Sequence, residues 1–167
     1  MTPLLSEVLE SVAKAKTKDK KIALLRKHDS QGLRRVLKSS FDPNIVWKLP
    51  DGPVPYEVND APSGTEHTRL EKLSKSLYHY IERGNPQLKQ SQREMMFVQL
   101  LEGLHADEAK LLVDAKDKRL HQVYKGLSSN VVKEAFGWND NYMQPKKWLF
   151  PKVNQYVSLL KYIKNYK

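Results

Sequence analysis

The residues whose types and spacing best suit ligand binding form the run 125–132, which reads Lys-Gly-Leu-Ser-Ser-Asn-Val-Val. We expect Gly126 to form a bend and Ser128 to cap a short helix that follows it directly. The first amides of a helix have no acceptor within it, so they attract anions, phosphate above all. The candidate anion-binding residues are Lys125, Gly126, Ser128, Ser129, Asn130 and Lys133. Taken alone, the same pattern more often marks an ordinary helix boundary than a binding site, so the rest of the chain must distinguish the two.

The distribution of charge favours a polyanionic partner. The chain has 167 residues, a formal net charge of +10 and a pI near 9.6. The segment 14–38 carries ten cations against two acids, and 141–167 carries six lysines and no acid, around a mildly acidic middle. Such blocks suit nucleic acid, although any single lysine on a helix face is more often simply solvated. The candidate surface therefore also includes Lys20, Lys21, Arg34, Arg35 and Lys38.

Several classes of chemistry are disfavoured by composition. The chain has no cysteine, which excludes disulfides, thiolate nucleophiles and cysteine-ligated zinc. Its five histidines lack metal-ligand spacing, and none of its seven glycines lies in a phosphate-loop motif. We expect no enzymatic activity and no cofactor. The N-terminus has no targeting pattern and no apolar run is long enough for a membrane span, so we expect a soluble, cytoplasmic protein.

Apolar residues recur at helical spacing along most of the chain. No run alternates as a strand would, and a segment rich in proline, 41–68, lacks periodicity and should drape over the core through Trp47 and Tyr56. The expected class is all-α, a compact bundle of several helices with a long irregular loop. Seven helices are predicted: over about 3–15, after Thr17 to about His28, after Ser30 through Leu37, from Leu70 to Gly84, from Ser91 through Leu104, from Ala106 to about Tyr124, and after Ser128 through Phe136.

The end of the chain has a different character. From Trp138 onward, aromatic residues alternate with lysines, and one apolar stripe predicts a C-terminal helix. We expect a bundle over 1–137 and a basic aromatic extension over 138–167, packed on the same domain. The stripe consists of Val153, Tyr156, Val157, Leu160, Ile163 and Tyr166.

Two parts of the chain resemble a known family. The stretch from Leu5 to about Lys48 resembles the start of the N-terminal DNA-binding domain of ATP-dependent DNA ligases, especially phage ones. It carries the runs Glu-Val-Leu at 7–9, Lys-Lys-Ile-Ala-Leu-Leu-Arg-Lys at 20–27, Gly-Leu-Arg-Arg-Val-Leu at 32–37 and Phe-Asp-Pro-Asn at 41–44. The stretch 108–136, with Lys-Arg-Leu at 118–120 and the Gly126 bend, is similar to that domain's signature. Together the two stretches cover roughly half the chain.

The resemblance implies a helical bundle that straddles duplex DNA and grips phosphates with the amides around Gly126. The proline-rich segment and the tail from Trp138 have no counterpart in it. The ligase catalytic half is also missing, since the string Lys-Leu-Pro-Asp-Gly at 48–52 lacks the spacing of the Lys-x-Asp-Gly motif that takes the adenylate. The expectation is a stand-alone binding module without nucleotidyl transfer.

Two functions from different classes follow from these observations. The first is a non-enzymatic protein that binds the phosphates of DNA, duplex rather than single-stranded, with little sequence specificity. The alternative is a phage-encoded adaptor that docks on an acidic host or phage protein. Both would act in the cytoplasm of an infected bacterial cell, and neither requires a cofactor, a metal or a membrane.

Overall fold

The computed structural model describes residues 2–62 and 68–144, and most of the predicted C-terminal extension, including its helix, lies outside them. Within the described ranges the chain is helical and contains no strand, only an isolated antiparallel bridge between Trp47 and Ile81. The predicted all-α class is confirmed. The helices are α1 (Leu5–Lys14), α2 (Lys18–Lys27), α3 (Gln31–Phe41), α4 (Leu70–Leu73), a 3₁₀ helix (Ser74–Tyr80), α5 (Gln90–Glu102), α6 (Ala106–Lys116), α7 (Leu120–Val123) and α8 (Ser129–Phe136).

The core forms around α6, which packs against α1, α3, α5 and α7. Each amphipathic helix turns an apolar stripe inward, for example Leu5, Val8, Leu9 and Val12 on α1. Helix α2 lies outside this group and packs against both α1 and α8. This position places the basic segment of the sequence next to the helix that follows the Gly126 bend.

The helix starts predicted from capping residues are confirmed. Each cap is a hydroxyl that accepts a hydrogen bond from the backbone amide three residues later. Thr17 caps α2 through Lys20, Ser30 caps α3 and Ser128 caps α8, with donor–acceptor distances of 3.2, 3.0 and 3.3 Å. These caps involve only neighbouring residues, which is why the sequence reveals them.

The prediction of one long helix from Ala106 to Tyr124 is wrong, because α6 ends at Lys116 and a separate short helix, α7, begins at Leu120. Lys118 adopts a left-handed conformation with φ of +57°. The amides of Lys118 and Arg119 donate hydrogen bonds to the carbonyls of Ala115 and Asp114, respectively. This pattern ends a helix and usually has glycine at the left-handed position. The Lys118 ammonium donates to the carbonyl of Asp42 at 2.6 Å, and this distant contact holds the break in place.

The helix predicted from Leu70 to Gly84 is also wrong in kind and extent. One α-helical turn gives way to the 3₁₀ helix, which ends at Tyr80. The buried guanidinium of Arg93 donates to the carbonyls of His79, Asn85 and Leu88, so the connecting backbone turns toward it instead of continuing as a helix.

The next helix, α5, begins one residue before Ser91, which had been predicted to open it. Its N-cap is Lys89, which supplies no side-chain cap.

The described parts of the proline-rich segment, 41–62 and 68, contain no helix apart from Phe41, the last residue of α3. Trp47 is buried and its indole donates to the carbonyl of Ser39 at 2.9 Å, while Tyr56 packs against the core at its edge. The buried ammonium of Lys116 donates to the carbonyls of Pro50 and Gly52 at 2.7 and 3.2 Å. Long-range contacts of this kind fix the path of the segment.

Glu108 on α6 joins the starts of two other helices. Its carboxylate is buried and accepts hydrogen bonds from the amides of Leu5 at 3.1 Å and Leu70 at 3.0 Å, the first residues of α1 and α4. An acidic group at a helix start also complements the helix dipole. Burial nevertheless raises the pKa of Glu108 above its ordinary 4.5.

We predict that Glu108→Gln lowers the free energy of unfolding at pH 7 by about 1–3 kcal/mol, because two amides then compete for a single oxygen. Since the folded state raises the pKa of Glu108, it binds the proton more tightly than the unfolded chain does. The wild type therefore gains stability relative to the variant as pH falls from 7 toward 4.5. Urea unfolding of both proteins across this range measures the difference, and a wild-type advantage that shrinks on acidification would contradict the assignment.

Candidate functional site

Helix α2 supplies cations that cap the ends of its two neighbours. The ammonium of Lys21 donates to the carbonyls of Val12, Ala13 and Ala15, at 2.9, 3.3 and 2.6 Å, where α1 ends. The guanidinium of Arg26 donates to the carbonyls of Glu134 and Ala135 in the last turn of α8, both at 3.0 Å. Carbonyls at a helix end lack partners and carry partial negative charge, so a cation there is stabilising. Lys21, a predicted anion-binding residue, therefore has a structural role.

The Gly126 bend lies directly on Lys21. Gly126 has φ of +81°, and a Cβ on it would lie 2.6 Å from Cε and 2.9 Å from Nζ of Lys21. The positive φ favours glycine here, and a Cβ would have to displace the end of the Lys21 side chain. The next residue, Leu127, is fully buried and anchors the bend in the core. The bend, α2 and the end of α1 thus meet around one side chain.

The start of α8 is partly occupied by the chain itself. The hydroxyl of Ser129 forms a short hydrogen bond with the hydroxyl of Tyr142, which is buried. The amides of Ser129 and Asn130 make no hydrogen bond with another described residue. Ser128 and Asn130 are exposed and Ser129 is half-buried. Tyr142 therefore binds the Ser129 side chain, and the first two amides of α8 have no partner among the described residues.

Two of the predicted cations are held by partners within the fold. Lys133 lies 3.1 Å from an oxygen of Asp140, and its ammonium is 5.8 Å from the centre of the Tyr142 ring. Arg34 forms a bidentate ion pair with Asp29, with nitrogen–oxygen distances of 2.6 and 2.7 Å, and these hydrogen bonds raise the pKa of the guanidinium. The same group lies 5.1 Å above the ring of Phe136. Such pairs leave both residues less available to a ligand.

Three exposed lysines near these segments in the sequence have no carboxylate partner in the described ranges. They are Lys16, Lys20 and Lys125, and each is one residue away from a segment that Lys21 brings together. Lys16 follows Ala15, Lys20 precedes Lys21, and Lys125 precedes Gly126. We call these lysines, with the amides of Ser129 and Asn130, the bend surface. Lys16 had no distinguishing sequence signal, since its place depends on the contacts of Lys21.

Arg35 and Lys38 do not belong to the bend surface. Arg35 donates to the hydroxyl of Ser74 at 3.3 Å, so it faces the 3₁₀ helix, whereas Arg34 faces α8. Successive residues of a helix point about 100° apart, so adjacent arginines of α3 reach different neighbours. The cations predicted as one surface therefore occupy two.

Other kinds of site find no support in the described residues. No group of three or more His, Asp or Glu side chains there is arranged to hold a metal ion. No described helix is both long enough and apolar enough to cross a bilayer.

Comparison with known proteins gives a family but no activity. A model described as "Family of unknown function (DUF6433)" matches residues 8–122, which run from α1 to α7 and end before the bend. No curated protein and no solved structure matches the chain.

We predict that Gly126→Ala lowers the free energy of unfolding by about 1–2 kcal/mol more than Gly137→Ala. Both glycines have positive φ, but a Cβ on Gly137 would meet open space, whereas one on Gly126 would displace Lys21 from its carbonyls. Chemical denaturation measures both losses.

The excess should disappear when the two substitutions are compared in a Lys21→Ala background, because the displaced side chain is then absent. Equal losses in the wild-type background would show that Lys21 does not constrain the bend.

Proposed function

We propose that this chain, which belongs to a family of unknown function (DUF6433), is a non-enzymatic protein that binds duplex DNA by its phosphates. The observation that carries the proposal is the bend surface. Three exposed lysines without carboxylate partners in the described ranges adjoin, in the sequence, the residues that meet at Lys21, and the first two amides of α8 make no hydrogen bond with a described residue. Cations and helix-start amides are the groups that proteins use to hold phosphate.

The charge of the whole molecule supports the same proposal. A net charge of +10 raises the local concentration of a polyanion and speeds its association. Duplex DNA carries one negative charge per about 1.7 Å along its axis, so a small cluster of lysines can contact several phosphates at once. The resemblance of the Gly126 bend to the signature of the ligase DNA-binding domain points to the same surface.

The proposed binding reads phosphates and not bases. The bend surface offers ammonium groups and backbone amides, which hold phosphates on any sequence. We therefore expect similar affinities for duplexes of different sequence. The proposed setting is the cytoplasm.

The adaptor hypothesis uses the same cations for a different partner. Carboxylates of an acidic protein would meet the same lysines, but they lack the dense and regular spacing of duplex phosphates. Competition between duplex DNA and polyglutamate for the protein separates the two hypotheses. Displacement of DNA by polyglutamate at an equal concentration of charge would favour the adaptor.

We predict that wild-type affinity for duplex DNA falls steeply between 50 and 200 mM salt, and that the triple variant Lys16→Glu, Lys20→Glu, Lys125→Glu binds less tightly. The slope of log affinity against log salt should flatten by about three, since each lost phosphate contact reduces it by about one. Fluorescence anisotropy with a labelled duplex measures both quantities.

A matched control is Lys48→Glu, Lys72→Glu, Lys89→Glu, which changes the net charge equally at exposed lysines away from the bend. The control should keep the wild-type slope. Equal losses in both triple variants, or wild-type binding that is flat in salt, would overturn the proposal.

A further inference from the structure

A second cationic surface lies on the other side of α3. A groove of about 230 Å³ runs between α3 and the 3₁₀ helix, and we call it the α3 groove. Its cationic rim is formed by Arg35 and Lys38 on one side and Lys75 on the other, with Tyr78 beside them. The buried Leu77 lies at its base.

The charge of this groove is entirely of one sign. Three cations line it, and no acidic residue does. None of the three forms an ion pair with a described carboxylate, and within the described ranges the only hydrogen bond from their side chains is the 3.3 Å contact of Arg35 with Ser74. Unpaired cations around a concave surface focus the field on an anion that enters it. The α3 groove is thus complementary to a negatively charged ligand.

Tyr78 gives the groove a stacking platform. The residue is 49% exposed, and its ring lies against the imidazole of His79, with centroids 4.0 Å apart and planes tilted by 35°. The imidazole is fixed in turn by a 2.9 Å hydrogen bond with the side chain of Asn85, and the backbone carbonyl of His79 accepts from Arg93. The ring is therefore supported from within the protein while a large part of it faces solvent.

We propose that the α3 groove binds an unpaired nucleotide, with its base stacked on Tyr78 and the adjoining phosphates held by Arg35, Lys38 and Lys75. A positively charged groove with an exposed aromatic ring is the combination that proteins use for single-stranded nucleic acid. This inference rests on the proposed function, because it adds a contact for unpaired strands to a protein that binds duplex phosphates elsewhere. The expected preferred ligand is DNA in which a duplex adjoins a single strand.

An acidic peptide fits the groove less well. Such a peptide would gain most of its affinity by burying aliphatic side chains, but among those that line the groove Leu77 is already 95% covered and Ile45 and Ile81 are half-buried. The largest exposed apolar group is a flat aromatic ring, which favours a flat partner. The experiment therefore includes polyglutamate, so that binding of an acidic peptide can be told apart from binding of a nucleotide.

The experiment measures anisotropy with three labelled probes, which are a thymidine oligonucleotide, a duplex of the same length and polyglutamate. Tyr78→Leu should weaken binding of the oligonucleotide about 10-fold or more, because it keeps apolar volume but removes the aromatic face. Tyr78→Phe should stay within about 2-fold of the wild type. Binding of the blunt duplex should not change in either variant, and thermal unfolding should confirm that both remain folded.

The results separate this inference from the proposed function. If duplex binding follows the bend surface but oligonucleotide binding ignores Tyr78, the α3 groove assignment is overturned and the proposed function stands. If polyglutamate binds more tightly than the oligonucleotide and is lost with Arg35→Glu, the groove is a protein-docking surface and the assignment is overturned. If neither DNA probe binds, both proposals fall. Loss with Tyr78→Leu and retention with Tyr78→Phe supports the assignment.

Discussion

The ammonium of Lys21 is the point on which the arrangement of this surface depends. It donates to three carbonyls at the end of α1, and a Cβ on Gly126 would displace the end of the same side chain. One side chain therefore fixes the end of α1, the first turns of α2 and the bend before α8 relative to one another. Lys16, Lys20 and Lys125, which adjoin these segments in the sequence, are exposed.

Net charge alone is a poor guide to which cations meet a ligand in this protein. Within the basic segment 14–38, Lys21 and Arg26 satisfy carbonyls at helix ends, and Arg34 is shared between Asp29 and Phe136. Lys18 pairs with Glu134, an interaction that raises the pKa of the lysine. Lys14 pairs with Glu10, and Lys27 belongs to neither surface. Of the rest, Lys16 and Lys20 belong to the bend surface, and Arg35 and Lys38 line the α3 groove. Part of the positive charge of this segment thus holds helices together.

The sequence predicts what neighbouring residues determine. The all-α class, the caps at Thr17, Ser30 and Ser128 and the Gly126 bend all follow from local spacing, and all are observed. The errors have distant causes. The break at Lys118 depends on Asp42, and the 3₁₀ helix depends on the carbonyls that turn toward Arg93. Likewise, the sequence identifies Lys21 as a cation but does not reveal that its ammonium donates to backbone carbonyls. Nor does it reveal that Arg34 and Arg35 contact different helices.

Binding of phosphates at the bend surface can be followed residue by residue in an NMR titration of the ¹⁵N-labelled protein with a short duplex. The amide signals of Lys125, Ser129 and Asn130 should shift first and saturate together, and these shifts should diminish as salt is added. Signals of α5, which lies away from the bend, should stay in place. Shifts that spare the start of α8, or that spread evenly over every exposed lysine, would contradict the account.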